Sequence, residues 1–161
     1  MHSRIFQISE EPLKEKESSS IRNCDLYHDY FPENIADSFE EIPFKSAEYF
    51  EELKWLKRTV KGIEVDVEKQ TIIITNKAEY FKEKHSQFKE LLNKLKDVTL
   101  EEFSSGRSKL YFDMYELNEC YREKHGFYID FMGDLTSLDE WVRSVEENKV
   151  FFIGTIIDYH F

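Results

Sequence analysis

With 161 residues, 40% hydrophobic and 16% aromatic, the chain has the length of one domain and enough apolar material to bury a core unaided by metals or disulfides. Its net charge of −11 argues against direct nucleic-acid binding, because phosphate contacts need a basic surface. No window approaches the ~18 uninterrupted apolar residues of a membrane span, and the opening MHSRIFQISEEPLKEKE lacks the basic-then-apolar layout of a signal peptide.

Taken in chain order, residues 3–9 read as a first strand. Residues 10–20, with Pro12 and three serines, read as a polar surface loop. Pro32 suits a first helical turn, and Ile35, Ala36, Phe39 and Ile42 form an apolar stripe that Pro43 stops. Ser46 is the expected N-cap of a second helix, which buries Phe50, Leu53, Leu56 and Val60. After Gly62 comes a hairpin: Ile63, Val65 and Val67 alternate with acids, and the returning arm Thr71–Thr75 is β-branched throughout.

Asn76 and Glu79 match a capping box that opens a long helix over about 77–97, with Phe81, Phe88, Leu91, Leu92 and Leu95 inward. Thr99 and Glu102 match another before a short turn. A second long helix is expected over about 108–125, its core stripe made of Leu110, Met114, Leu117 and Tyr121, with Gly126 as its stop. Residues 127–132 read as a strand, and Ser137 with Glu140 opens a short helix. Residues 149–161, KVFFIGTIIDYHF, form the most apolar stretch and a closing strand, with Gly154 marking a bulge or close contact.

The expected fold is α+β: a single domain over 1–161 with a mostly antiparallel sheet of four to five strands. The strand 149–161 is central, because both its faces are apolar for most of its length. The two long helices pack on one face.

The excess charge is regional. From Asp29 to Glu52 there are eight acids (Asp29, Glu33, Asp37, Glu40, Glu41, Glu48, Glu51 and Glu52) and one base, Lys45. Asp130–Glu147 carries six acids and one base. A helical face with such a surplus attracts a basic protein and speeds encounter by long-range steering. Tyr27, Tyr30, Phe31 and Tyr49 are the aromatics expected to be exposed beside it. The bland alternative is a solvated face that serves solubility.

Catalytic signals are weak. Asp158 and His160, two apart on a strand, share a face and have the makings of a general-base pair. If the strand over 127–132 pairs with this one, Tyr128 and Asp130 join them. A solvated strand end is the ordinary reading. His85, His125 and the neighbours His28 and Asp29 form no metal or dyad pattern, and Cys24 and Cys120 read as free thiols of a reducing, cytoplasmic setting. Phosphate-binding glycine loops, G-x-S-x-G, CxxC and calcium-loop spacings are absent, so no cofactor or metal is expected.

The function expected is a non-catalytic acidic protein that engages or inhibits a basic protein through residues 29–52. Bacterial immunity proteins and phage anti-defence inhibitors are of this general size and charge. The alternatives are a small enzyme using the Asp/His/Tyr cluster and a scaffold subunit whose terminal strand completes a sheet in another chain.

Overall fold

The computed structural model describes residues 1–13, 36, 38–105, 108–131 and 133–161, Ser108 by its backbone alone. Its elements are β1 (His2–Ser9), β2 (Ser38–Ile42), α1 (Ala47–Thr59), β3 (Ile63–Asp66), β4 (Thr71–Ile74), α2 (Lys77–Lys96), α3 (Leu100–Ser104), α4 (Ser108–Tyr121), β5 (Tyr128–Phe131), β6 (Asp134–Ser137), α5 (Leu138–Ser144) and β7 (Val150–His160). Side-chain caps open four helices. Ser46 accepts from the Tyr49 N–H at 3.1 Å, and Asn76 from the Glu79 N–H at 2.9 Å. Ser137 accepts from the Glu140 N–H at 3.3 Å, and Thr99 with Glu102 closes a reciprocal box. Each cap satisfies an N–H that a helix start otherwise leaves unpaired.

The strands form one sheet in the order β3-β4-β7-β1-β5-β6, with β2 also paired to β7. Among the described residues it has seven strands, not the four to five expected. The additions are β6, a short hairpin partner of β5, and β2, where a helix was expected. Ser38–Ile42 runs antiparallel to β7 from Ser38↔His160 to Ile42↔Ile156, so tertiary pairing overrides the helical spacing of Phe39 and Ile42. Of the expected helix, which runs from Pro32 to the stop at Pro43, residues 32–35 and Asp37 lie outside the described residues. Strand β7 is central: β1 lies on one edge, and β4 and β2 share the other. Strand β5 does not pair with β7. It pairs with β1, parallel, in the register Ile5↔Tyr128.

A bulge in β7 decides which side chains share a face. Phe6 faces Ile156, whereas Ile8 faces Ile153, so β7 carries one extra residue between them. Alternation therefore inverts at Gly154–Thr155. Phe151 and Ile153 join Ile156, not Ile157, in the main core, so the run of odd-numbered residues is not one face. A Cβ on Gly154 would lie 2.4 Å from Leu13 Cδ1 and 2.6 Å from Gln7 Oε1, and that same Gln7 oxygen accepts the Thr155 N–H at 3.1 Å. Bulge, glycine and glutamine form one device. Gly62 is required for a different reason: its φ is +70°, and a Cβ there would lie 2.2 Å from the Asn76 carbonyl.

The main core lies on one face of the sheet. Tyr49, Leu53 and Leu56 of α1 and Leu138, Trp141 and Val142 of α5 pack over Phe6, Ile72, Ile129 and Ile153. A smaller cluster of Ile5, Tyr128, Ile157 and Tyr159 fills the other face. The two long helices pack mainly on each other, antiparallel, rather than lying along the sheet. Lys84 of α2 reaches Glu123, while Asp113 and Glu116 of α4 lie near Lys94. From α2, Tyr80 and Phe81 pack against the main core. The base of this helical hairpin is fastened to α5 by Lys77, which donates to the Arg143 carbonyl, and by the Arg143 guanidinium, held between the Phe81 and Tyr121 rings at 4.7 and 4.4 Å. Among the described residues no helix is long and apolar enough to cross a membrane.

Candidate functional site

Asp158 and His160 project from the main-core face at the end of β7, in register with Arg4 and His2 of β1. Arg4 Nη1 donates to Asp158 Oδ1 at 2.6 Å, and His2 Nδ1 lies 3.1 Å from the same oxygen. Arg4 Nη2 donates to Glu52 Oε1 at 2.9 Å. Burial opposes the Arg4 charge, but Glu52, Asp158 and Glu48 outweigh it and raise its pKa. His160 Nε2 is 3.1 Å from the Met1 amine, and its ring meets His2 edge-on at 4.9 Å. Tyr128 and Asp130 are one strand further away and share the opposite face with Ile5 and Gln7. Asp130 is buried and accepts the Gly133 N–H at 3.2 Å, while Tyr128 donates to the Lys124 carbonyl at 2.8 Å. The fold does not gather these four residues. Asp158 is engaged by a cation rather than poised beside a substrate.

Of the acidic-face residues, Asp29, Glu33, Asp37, Tyr27, Tyr30 and Phe31 lie outside the described residues, as do Cys24 and His28. The remainder divides. Tyr49 is 0% exposed and donates to the Ile153 carbonyl at 3.0 Å, so it is a core residue and not a contact aromatic. Its spacing with Leu53 and Leu56 was the signal, because 49, 53 and 56 form one helical stripe. Glu52 is held by Arg4. Glu40 and Glu41 are consecutive on a strand, so Glu40 lies beside Asp158 and Glu41 faces the other side. Glu40, Glu41 and Glu48 are exposed with no ion pair among the described residues, and Glu51 pairs with Lys54 at 2.7 Å. The second acidic block is more heavily buried, since Asp130 and Asp139 are both in the interior.

A cleft of about 410 Å³, which no sequence motif signals, forms where α1, α2 and the α4–β5 connection meet. Trp55 and Phe127 form an apolar wall, their rings edge-to-face at 5.0 Å. The opposite side is ionic. Lys84 Nζ donates to both Asp139 oxygens at 2.8 and 2.9 Å and to Glu123 Oε2 at 3.1 Å. Tyr80 Oη donates to Asp139 at 2.8 Å, and burial first, then Asp139, pushes its pKa upward. His125 also lines the cleft. Its ring stacks on Phe161 at 4.2 Å, and burial, then Lys124, lowers its pKa. Among the described residues no group of three or more His, Cys, Asp or Glu is placed to hold a metal ion. Cys120 is buried, and burial raises its pKa, so the thiolate is disfavoured.

Helix α4 carries a second feature. Leu110, Leu117 and Cys120 turn inward, whereas Tyr111 is 69% and Met114 57% exposed, with Phe112, Tyr115 and Tyr121 also outward. The expected stripe was therefore half right. SKLYFDMYELNECY is apolar on nearly every side, a pattern of a helix with more than one face to cover.

The chain matches no protein-family model, and no curated protein or solved structure is significantly similar to it.

Proposed function

We propose that this chain is a non-catalytic binding protein that engages a basic protein through the carboxylates at the β2–α1 corner. The observation that supports this reading most is the placement of Glu40 and Glu48 around the Arg4–Glu52–Asp158 cluster. One guanidinium serves two carboxylates there, and exposed Glu40 and Glu48 have no cation of their own among the described residues. Such a corner holds a local negative field that a lysine- or arginine-rich surface would relieve. Partner capture from lysate should be strong at low salt and lost at high salt. The triple variant E40K/E48K/E51K, whose sites are exposed and outside the core, should lose it at both. Equal capture by parent and variant at low salt, or parent capture undiminished at high salt, overturns the reading.

A scaffold reading rests on a different observation, the outward apolar residues of α4. Here self-association would run through the helical hairpin. The terminal strand cannot complete another sheet along β7, because both its edges are already paired. A monomer mass by light scattering at every concentration tested would overturn it.

A further inference from the structure

We propose that the cleft between α1, α2 and the α4–β5 connection binds a small organic cation, an amine or quaternary ammonium that carries an apolar group.

Size is the first argument: about 410 Å³ lies within the range of small-molecule sites, roughly 300–1,000 Å³. Charge is the second. The lining holds the carboxylates Glu79, Glu83, Glu123 and Asp139 against the ammonium groups of Lys61 and Lys84. Lys61 pairs with Glu83 and Lys82 with Glu79, while Lys84 alone serves both Asp139 and Glu123, so one negative charge of the lining is left for a further cation. An anion would find both ammonium groups already engaged. Aromatic surface is the third. Trp55 is 37% exposed although its ring meets that of Phe127 edge-to-face, and it lines the cleft together with those carboxylates. An indole face attracts cations through its quadrupole, and Arg4 already lies 5.8 Å from this ring. Aromatic wall, carboxylate surplus and adequate volume are together the chemistry of an amine site. This inference does not depend on the acidic corner at β2–α1, and neither result bears on the other.

The test uses three probes of similar size, benzylammonium, benzoate and benzyl alcohol, with the full-length protein. Binding is read by tryptophan fluorescence and by NMR shift perturbation. Trp141 is buried, so a ligand-induced fluorescence change reports Trp55. Benzylammonium should saturate, with shifts centred on Trp55, Phe127 and Tyr80, and should bind at least about tenfold more tightly than benzoate. The variant W55L should lose about tenfold in affinity. E123Q, at an exposed site, keeps the fold and should weaken benzylammonium several-fold while leaving benzyl alcohol unchanged. Equal binding of the three probes, shifts centred elsewhere, or no saturation by benzylammonium would each overturn the proposal.

Discussion

Arg4 Nη1 and Asp158 Oδ1, 154 residues apart in the chain, meet at 2.6 Å across the β1–β7 ladder. The same guanidinium holds Glu52, which ties α1 to the sheet. Both side chains facing it are mostly screened from water, at 14% and 24% exposure for Glu52 and Asp158. Arg4→Met should therefore lower stability by about 2 kcal/mol, because it leaves Glu52 with no cation and Asp158 with His2 alone. Urea denaturation reads this directly. An unchanged midpoint would show that the pair contributes no more than a surface ion pair.

Gly154→Ala should destabilise by about 2 kcal/mol, since the new methyl meets Leu13 and the Gln7 carboxamide. The double variant Gly154→Ala with Gln7→Ala should not recover, because the Thr155 N–H then loses its acceptor. Full recovery in thermal melts would separate the bulge from the glutamine.

Tyr159 is fully buried, and its hydroxyl donates to the Gly126 carbonyl at 2.6 Å. Tyr159→Phe should cost about 1 kcal/mol. Deleting Tyr159–Phe161 also removes the Phe161 ring from His125 and should abolish cooperative unfolding, as followed by near-ultraviolet circular dichroism. A truncated chain that melts like its parent would refute the central position of β7.

His125 gives a pH dependence of known sign. Its pKa is lowered in the fold by burial, with Lys124 adding to the effect. Below about pH 6.5 the unfolded chain takes up a proton that the folded chain resists, so stability present at neutral pH is lost as pH falls. The carboxylates of Glu51 and Glu83, held below their usual range by Lys54 and Lys61, act only in more acid solution. His125→Gln should flatten the dependence of the denaturation midpoint between about pH 7.5 and 5.5. An identical slope in the variant would assign that dependence to other groups.

The elements that were legible from residues alone are those whose cause is local. Ser46, Asn76, Thr99 and Ser137 cap helices three residues from the groups they satisfy. The β3–β4 hairpin follows from alternation, with Gly62 supplying a positive φ. The apolar run at 149–161 has no way to satisfy two greasy faces except inside the sheet, so its centrality was readable too. The candidate site was not. The acidic residues of 29–52 counted alike in sequence, yet Glu52 is neutralised by an arginine 48 residues away and Glu41 faces away from Glu40.

By itself the sequence determined the helix starts, the hairpin, the regional surplus of acid and the burial of the closing strand. Each depends on spacing within a few residues and on the free energy of removing apolar side chains from water. Only the tertiary structure decided that Ser38–Ile42 is a strand, that β5 pairs with β1, and that a bulge at Gly154 exchanges the faces of β7. It also decided that Trp55, Lys84, Glu123 and Asp139 line one cleft. Those outcomes depend on which distant backbone edge and which distant charge arrive opposite a residue, and no local period encodes that.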